Sequence, residues 1–414
     1  MNKNLIALAV STAFTLPAMA DVAVGPFSVY GTAQSAIENV NISFASGATT
    51  NSTTDTSKIS QTRLMDQTSK LGFKIAHDLG SGMTGLAQVE SRIYLGNGGN
   101  NTQDKAELGS RNTFVGLGSS EWGTVRLGRH DTAYKLSLKA AAPFIYNNVN
   151  DASAEYGKEQ ILTRLGDRFT DVVAYESPKV NGFQVLVSHN MGKDSDNGLG
   201  AAKYDYANQT KDMAAMSTTP ATLAPQTAIS IGYANGPFTA AYGYTAVSNV
   251  AWQLDSSSSR KYSFNTTPGA SFGLSAYQLG GQYTFGEYAV GGMYEVTTSS
   301  QQGVSATKDF SQSQASLALI GAYKSGPNEF HFRYAVASDV TGNTGTATNT
   351  LKTDTGATQY SLMYAYEFNK SVKFVSSYTN LANKANAKFT SASGFAVDTG
   401  ATLSQIAVGL AATF

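Results

Sequence analysis

The sequence predicts an all-β fold, a 16-stranded antiparallel transmembrane β-barrel. Three observations lead to it. Apolar and polar residues alternate over stretches of about ten residues, and short turns alternate with long polar stretches. Beyond residue 20, no apolar run approaches the roughly eighteen residues of a membrane-spanning helix. Inside lipid every backbone N–H and C=O needs an internal partner, and strands can supply one for each group only in a closed sheet.

The composition suits strands joined by turns and narrows the possible functions. The chain of 414 residues has 40 glycines, 9 prolines, 22 tyrosines and 20 phenylalanines, and only 14% of its residues are charged. Basic and acidic residues number 29 each, which argues against a nucleic-acid partner. The absence of cysteine excludes disulfides and thiolate metal sites, and no cofactor is implied.

The first twenty residues, "MNKNLIALAVSTAFTLPAMA", have the pattern of a signal peptide. A basic start at Lys3 precedes an apolar run from Leu5 to Leu16, and Ala18-Met19-Ala20 forms a small-x-small cleavage site. The sequence therefore predicts a cleaved signal peptide over residues 1–20, export, and a barrel over residues 21–414. The alternative is an N-terminal helix that stays in place.

The period of two predicts which side chains face lipid. In "SKLGFKIAHDLG", Leu71, Phe73 and Ile75 share one face, while Lys70 and Lys74 share the other. Similar alternation runs through "MTGLAQVESRIYL", "FQVLVSHN", "FTAAYGYTAV", "EFHFRYAV", "TQYSLMYAYEF" and "SQIAVGLAATF". The apolar set should face lipid, and aromatic residues near strand ends should form interfacial girdles. The predicted girdle residues are Tyr242, Tyr244, Tyr283, Phe285, Tyr334 and Tyr366.

The connections between these strands give their number. Tight turns are predicted at 80–82, 119–122, 176–182, 234–237, 285–287, 324–329 and 368–371. Long polar stretches are predicted at roughly 40–66, 96–108, 131–166, 191–225, 248–272, 299–312, 338–356 and 381–401. Seven turns and eight loops separate sixteen strands. A soluble, secreted β-sandwich or β-helix is the alternative, but it gives no reason for the regular alternation of loop lengths.

Arginines within the strands point to a wet interior. In "RNTFVGLGSSEWGTVRLGRH", Arg126 lies between the apolar Val125 and Leu127, so it should face the lumen. Phe114 is interpreted as an outward anchor, which places Arg111, three residues away, on the lumenal side. The same parity turns Lys70, Lys74 and Arg92 inward and Arg129 outward. A cation costs little in a wet lumen but about 2–4 kcal/mol when it faces lipid at the midplane.

The mature chain resembles the trimeric general porins of Gram-negative bacteria, in particular the neisserial and β-proteobacterial type. The resemblance rests on "SVYGTAQSAIENV", "SKLGFKIAHDLGSGMTGLAQVES", "RNTFVGLGSSEWGTVRLGRHDTAY" and "AYESPKVNGFQVLVSH". Two departures are the ending "VGLAATF", which lacks a basic penultimate residue, and "APFIYNN" at the tip of loop 3. The resemblance implies an inward-folded loop 3, a homotrimer, and an outer-membrane location among lipid and lipopolysaccharide.

The resemblance also implies a pore constriction. Acids on loop 3, Asp151 and Glu155, would face a basic ladder that includes Lys70 and Arg111. A third ladder cation is Arg164 or Arg168, and the sequence does not decide between them. The predicted basic side comprises Lys70, Lys74, Arg92, Arg111, Arg126, Arg164 and Arg168.

Two further roles concern partners. Arg129 is predicted to pair with Asp104 or Glu107 of a neighbouring subunit across a trimer interface. The terminal Phe414 ends an alternating apolar strand, which is the signal that the outer-membrane assembly machinery is known to recognise.

The predicted function is a porin, a water-filled channel for passive diffusion of ions and small hydrophilic solutes with slight anion preference. The alternatives are a substrate-specific outer-membrane channel and a surface adhesin. An outer-membrane enzyme is disfavoured, because Ser271 of "GASFG" lies in a polar loop and the histidines are scattered. "KDSDNG" (193–198) has the start of a calcium loop without its terminal glutamate.

Overall fold

The structure is a computed structural model. It describes residues 22–44, 58–66, 69–95, 108–141, 161–162, 165–166, 168–191, 203–205, 210–212, 225–254, 260–264, 271–303, 309–343, 353–389 and 399–414. These residues contain no helix that is long and apolar enough to cross a membrane.

The described residues form 23 strands and one helix. In chain order they are β1 (Val22–Val24), β2 (Phe27–Ser43), β3 (Lys58–Asp66), β4 (Lys70–Gly80), β5 (Met83–Arg92), β6 (Thr113–Ser119), β7 (Gly123–Asp131), α1 (Ala133–Ala141), β8 (Arg168–Glu176), β9 (Phe183–Asn190), β10 (Lys203–Asp205), β11 (Thr210–Asp212), β12 (Gln226–Asn235), β13 (Phe238–Ser248), β14 (Val250–Leu254), β15 (Arg260–Phe264), β16 (Ser271–Phe285), β17 (Tyr288–Gln302), β18 (Phe310–Ser325), β19 (Asn328–Ala337), β20 (Thr341–Asn343), β21 (Ala357–Glu367), β22 (Val372–Asn383) and β23 (Thr402–Thr413).

Sixteen of these strands close into a ring in which every neighbouring pair is antiparallel. The order is β2, β4, β5, β6, β7, β8, β9, β12, β13, β16, β17, β18, β19, β21, β22, β23 and back to β2. The seam between β2 and β23 runs from Thr32 opposite Thr413 to Ser43 opposite Thr402. It is extended by Gly31, whose backbone N–H donates to the carbonyl oxygen of Phe414 over 2.8 Å. The predicted sixteen-stranded antiparallel barrel is confirmed.

The remaining short strands lie at the long-loop end or extend the ring. β3 pairs with the second half of β2, from Ser35 to Ser43, and β4 pairs with the first half, from Phe27 to Thr32. Together β3 and β4 form one strand with a break that lies beside β2. The polar stretch predicted at 40–66 therefore contains a strand, β3. The hairpins β10–β11 and β14–β15 were not predicted either, since they lie in stretches interpreted as loops.

The predicted tight turns connect their strands as expected. β16 and β17 are joined through Gly286, and β18 and β19 through Gly326. Both glycines have positive φ, 58° and 54°, a conformation that favours glycine. All seven short connections therefore lie at one end of the barrel, and the long loops lie at the other.

Outward-facing aromatic residues form a belt at the short-turn end. Ring centroids along the belt are separated by 4.8 to 6.2 Å in the order Tyr283, Phe285, Tyr288, Tyr323, Phe330 and Tyr364. Two predicted girdle residues, Tyr283 and Phe285, belong to this belt. The other four, Tyr242, Tyr244, Tyr334 and Tyr366, are also on the exposed outer face. An aromatic belt of this kind marks a membrane interface.

The helix α1 follows β7 and contacts β9, β12, β13 and β16. The hydroxyl of Thr132 accepts a hydrogen bond from the backbone N–H of Lys135 and so caps the helix start. The helix lies in the polar stretch predicted at 131–166, because "AYKLSLKA" is too short to show a clear helical period. Residues 142–160, the rest of the predicted inward loop, lie outside the described residues.

Candidate functional site

The inward side chains of β2 to β8 and of the first turn of α1 form a charged side of the lumen. We call this set the charged wall. Its orientation follows from strand parity: Val115, Leu117 and Leu127 are exposed on the outer face, while Arg126 and Gly116 lie on the other face. The same parity turns the cations of β4 and β5 inward, opposite the exposed Ile75.

Glu90 on β5 is the centre of the charged wall. Its carboxylate lies 2.7 Å from the Arg111 Nε and 3.8 Å from the Lys70 Nζ. It also accepts a hydrogen bond from the Tyr30 hydroxyl over 2.9 Å. The backbone N–H of Arg111 donates to the Glu90 carbonyl oxygen, which fixes the chain just before β6. The two predicted ladder cations therefore converge on one carboxylate.

Asp131, at the end of β7, forms a second centre. Its carboxylate lies 3.0 Å from the Arg168 guanidinium and 3.0 Å from the Lys135 ammonium. Asn112 donates from its amide to Asp131 and accepts from the Arg168 Nε. Arg168 is thus held on the charged wall, whereas its alternative, Arg164, lies outside the described residues.

Three more pairs complete the charged wall. Arg92 lies 3.2 Å from Asp66, and Arg126 lies 2.8 Å from Glu176. Arg63 pairs with Glu38, which also accepts from the Gln405 amide across the barrel seam. Six cations of this wall, Lys70, Lys74, Arg92, Arg111, Arg126 and Arg168, were named from the sequence.

In each of these seven ion pairs the cation is the more exposed partner. The relative side-chain exposure is 7–13% for the lysines and arginines and 0–9% for the carboxylates. Water in the lumen therefore meets ammonium and guanidinium groups before it meets their carboxylates. The carboxylates stabilise the cations from the side that is turned away from the lumenal water.

The interpretation of Phe114 as an outward anchor is wrong. The Phe114 ring lies 5.3 Å from the His130 ring and 5.5 Å from the Arg126 guanidinium, on the inner face of β6. Its apolar surface is covered by these neighbours, so it does not need lipid. Arg111 precedes the first residue of β6, so strand parity does not apply to it; its contact with Glu90 places it inside.

Several predicted site residues lie outside the described residues. They are Asp104, Glu107, Asp151, Glu155 and Arg164. Arg129 is described: it lies opposite Thr113 on the β6–β7 pair and shares the outward face of Leu127. The constriction between loop 3 and the basic side, and the Arg129 interface, remain predictions.

The carboxylates that hold the charged wall in place are not among the site residues predicted from the sequence. They are Glu38, Asp66, Glu90, Asp131 and Glu176. Arg126 and Glu176 are adjacent only because β7 pairs with β8 across the long connection that contains α1. Strand parity alone could have placed Glu176 in the lumen.

A second, mostly neutral side of the lumen is formed by the inward side chains of β12, β13, β16, β17 and β18. We call it the amide wall. Its inward glutamines are Gln226, Gln278, Gln282, Gln301, Gln312 and Gln314. The helix α1 lies against it: the Tyr134 hydroxyl donates to Glu295 over 2.9 Å, and the Gln278 amide donates to the Tyr134 carbonyl oxygen over 2.6 Å.

One ion pair ties the long-loop end together. Asp339, between β19 and β20, accepts from the Lys384 ammonium over 3.0 Å and from the backbone N–H groups of Thr355 and Gly356. Partial burial opposes ionisation, but the Lys384 ammonium and the Gly356 N–H outweigh it and lower the pKa of Asp339 below its ordinary value. These contacts anchor the segment after β19 to the segment before β21 and to the segment after β22.

The motifs considered for other functions can be placed in part. Ser271 is the first residue of β16 and lies opposite Gln302, so it is not on a strand-to-helix turn. Within the described ranges, no three His, Asp or Glu side chains are grouped so as to hold a metal ion. The segment 193–198 lies outside those ranges.

A closed barrel with an apolar, aromatic-belted outer face and a charged inner face defines the class of outer-membrane β-barrels. A family model described as "Gram-negative porin" matches residues 7–386 of the chain. The chain belongs to that family and to the bacterial outer membrane.

Curated relatives agree with this assignment. The chain is 29% identical over 216 residues to the major outer membrane protein P.IA of Neisseria meningitidis serogroup C, covering 51% of each chain. It is 26% identical over 294 residues to an outer membrane porin protein of Bordetella pertussis, covering 69% of this chain and 66% of the relative. The chain spans about half the length of the neisserial relatives it matches.

Solved structures share the fold. An anion-selective porin from Comamonas acidovorans superposes with a TM-score of 0.65 at 18% identity, covering 94% of this chain and 99% of that one. The trimer form of OmpT from Vibrio cholerae gives a TM-score of 0.59 at 13% identity, with 94% and 99% coverage.

Proposed function

We propose that the chain forms a water-filled channel for passive diffusion of ions and small hydrophilic solutes, with a modest preference for anions. The observation that carries the proposal is the charged wall, where the cation of every described ion pair is more exposed than its carboxylate. A solute in the lumen meets the positive end of each pair first. An anion is therefore attracted at short range, although each pair is nearly neutral at a distance.

The charge balance of the wall supports the same sign. Eight cations, Arg63, Lys70, Lys74, Arg92, Arg111, Arg126, Lys135 and Arg168, stand against five carboxylates, Glu38, Asp66, Glu90, Asp131 and Glu176. Charged linings of this kind select ions in pores. The structural neighbour from Comamonas acidovorans is named as anion-selective, which is consistent with this proposal.

The constriction is part of the proposal. Lys70 and Arg111 at Glu90, with Arg168 at Asp131, would form its basic side, and Asp151 and Glu155 its acidic side. The contacts of α1 with the amide wall support an inward course of the following segment, because they direct the chain into the barrel. Opposite charges across a narrow gap would orient polar solutes and disfavour apolar ones.

We also propose a homotrimer held in the outer membrane by lipid and lipopolysaccharide. The outward residues of β5, β6 and β7 include no aromatic side chain, so the belt is interrupted there. An aliphatic outer face between aromatic sectors suits contact with another subunit. One structural neighbour, OmpT from Vibrio cholerae, is described as a trimer form. Arg129 would pair with Asp104 or Glu107 of the neighbour, and Phe414 would serve the assembly machinery.

The channel needs no catalytic residue, cofactor or energy source, because solutes move down their gradients. None of the interactions described for the charged wall has the geometry of a nucleophile activated by a base. We therefore propose no enzymatic activity.

Single-channel recording in a planar bilayer tests the proposal. Protein purified from outer membranes should insert with conductance steps in groups of three and give a small reversal potential of the anion-selective sign in a KCl gradient. Absence of conductance would overturn the channel. A cation-selective potential would overturn the proposed sign while leaving the channel intact.

A further inference from the structure

We infer that the anion preference depends mainly on Lys74 and Arg333, rather than on the paired cations around Glu90 and Asp131. The inference rests on the proposed channel function. It assigns a selectivity role to Arg333, which the resemblance does not point to, and it ranks Lys74 above the other cations predicted on the basic side of the constriction.

Lys74 is held on the charged wall by an aromatic ring. Its ammonium lies 4.0 Å from the centroid of the Tyr30 ring, and Tyr30 in turn donates its hydroxyl to Glu90. The lumen-facing neighbours across the strands are Ser28 on β2 and Gln88 on β5, both uncharged. A cation–π contact orients the ammonium without cancelling its charge. Among the described residues Lys74 has no carboxylate partner.

Arg333 lies on the inner face of β19, between the exposed Phe332 and Tyr334. Its neighbours across the strands are Ile320 on β18 and Ser361 on β21, and neither is charged. The nearest acid on its own strand, Glu329, is engaged by His331 at 2.6 Å and by Lys373 at 3.7 Å. Within the described strands Arg333 forms no ion pair.

The two cations occupy a similar level in the barrel. Lys74 lies six residues before the end of β4, and Arg333 lies five residues after the start of β19, both measured from the short-turn end. At about 3.3 Å per residue, Lys74 is displaced by roughly 13 Å along β4 from Lys70 and the Glu90 centre. Lys74 thus enters the lumen nearer the short-turn end than Lys70 does, while the Tyr30 ring links its ammonium to the Glu90 centre.

Pairing explains why these two cations should dominate. The field of a cation with an adjacent carboxylate is that of a dipole and falls off faster with distance than the field of a lone charge. A lone cation therefore reaches further across the lumen, up to the limit that salt screening sets. Arg333 can in addition offer two N–H groups to one carboxylate or phosphate group of a solute.

The test compares three double variants with the wild-type protein in planar bilayers. Lys74→Gln with Arg333→Gln removes these two cations, which form no ion pair among the described residues. Lys179→Gln with Lys370→Gln removes two exposed lysines from short turns at the same end, so its change in net charge is identical. Arg126→Gln with Glu176→Gln removes one complete ion pair and leaves the net charge unchanged.

We expect the chloride-to-potassium permeability ratio of the Lys74–Arg333 variant to fall by a factor of about two to five in a KCl gradient near 0.1 M. The turn variant should stay close to wild type, and the pair variant should shift the ratio by less than the Lys74–Arg333 variant does. A Lys74–Arg333 variant with the wild-type ratio would overturn the inference, and so would a turn variant with an equal shift.

Failure of the inference and failure of the channel are distinguishable. If the wild-type protein does not conduct, the proposed function fails. If it conducts and the Lys74–Arg333 variant keeps the wild-type ratio while Arg111→Gln changes it, the channel stands and selectivity lies at the Glu90 centre. Retention of heat-resistant folded barrel on a gel shows for each variant that the protein recorded is folded.

Discussion

The charged wall and the amide wall belong to the same antiparallel sheet, yet their inward polar side chains are stabilised in different ways. The charged wall carries seven described ion pairs. Among the described inward residues of the amide wall, the charged ones are Glu295 and, at the short-turn end, Lys324. The helix α1 covers the neutral side. Its Tyr134 hydroxyl donates to Glu295, and its Ser137 hydroxyl accepts a hydrogen bond from the Gln278 amide of β16. In both walls the strand backbone sets only which side chains face inward. The coverage by α1 decides which of the two walls can act on solutes.

The largest expected effect comes from breaking the centre of the charged wall. Glu90→Gln removes the negative charge between Lys70 and Arg111 and leaves two cations facing each other. Removing one partner of a buried pair costs about 3–5 kcal/mol, and residual contact with lumenal water reduces this to about 2 kcal/mol here. We expect the barrel to unfold at a lower temperature, measured by the gel mobility of heated samples, and the channel to become more anion-selective.

The matched control is Glu121→Gln, since Glu121 is exposed in the turn between β6 and β7. It should leave both the unfolding temperature and the reversal potential unchanged. Equal effects of the two substitutions would contradict the central position of Glu90.

A smaller effect is expected from disturbing the amide wall. A side chain at Gly243 would collide with Ser137 of α1, whereas a side chain at Gly321 on the outer face would meet no atom within 4 Å. Gly243→Val should displace α1 and lower the free energy of unfolding by about 1–3 kcal/mol, the usual cost of overpacking. It should also change single-channel conductance, because α1 would move into the lumen.

Gly321→Val is the control for this experiment, since it adds the same side chain to a neighbouring region of the sheet. We expect wild-type conductance and stability from it. If Gly243→Val also behaves like wild type, α1 does not depend on close packing against β13.

The smallest effect concerns the outer face behind the charged wall. Arg129→Glu should weaken the proposed pairing with Asp104 or Glu107 of a neighbouring subunit. Exposed ion pairs contribute about 0.2–1 kcal/mol each, and three equivalent contacts should lower the temperature at which trimers dissociate on a gel by a few degrees. Trimers as heat-resistant as wild type would show that Arg129 has no part in the interface.

The ring of strands could be predicted from the sequence more accurately than the contacts of the site. Val125 and Leu127 were enough to turn Arg126 inward, because the period of two holds wherever one face meets lipid. Phe114 was misplaced because an aromatic residue was assumed to need lipid, while the cover supplied by Arg126 and His130 depends on neighbouring strands.

The ion-pair partners could not be predicted from local sequence patterns. Asp131 meets Arg168 only after the chain has passed through α1 and the segment that follows it. The convergence of Lys70 and Arg111 on Glu90 requires the β4–β5 register and the backbone contact that places Arg111 ahead of β6. Such contacts come from ring geometry rather than from spacing along the chain.

The seam between β2 and β23 has a kinetic consequence. The Gln405 side chain bonds Glu38 across 367 residues of sequence, so this pairing is among the least local in the molecule. Contacts of such separation form late, because a long loop must close before they contribute. Until the seam forms, β2 and β23 are both open sheet edges that can pair with strands of other chains. A nascent barrel therefore passes through a vulnerable open state, and substitutions that slow the seam should cause aggregation even where the closed barrel is stable.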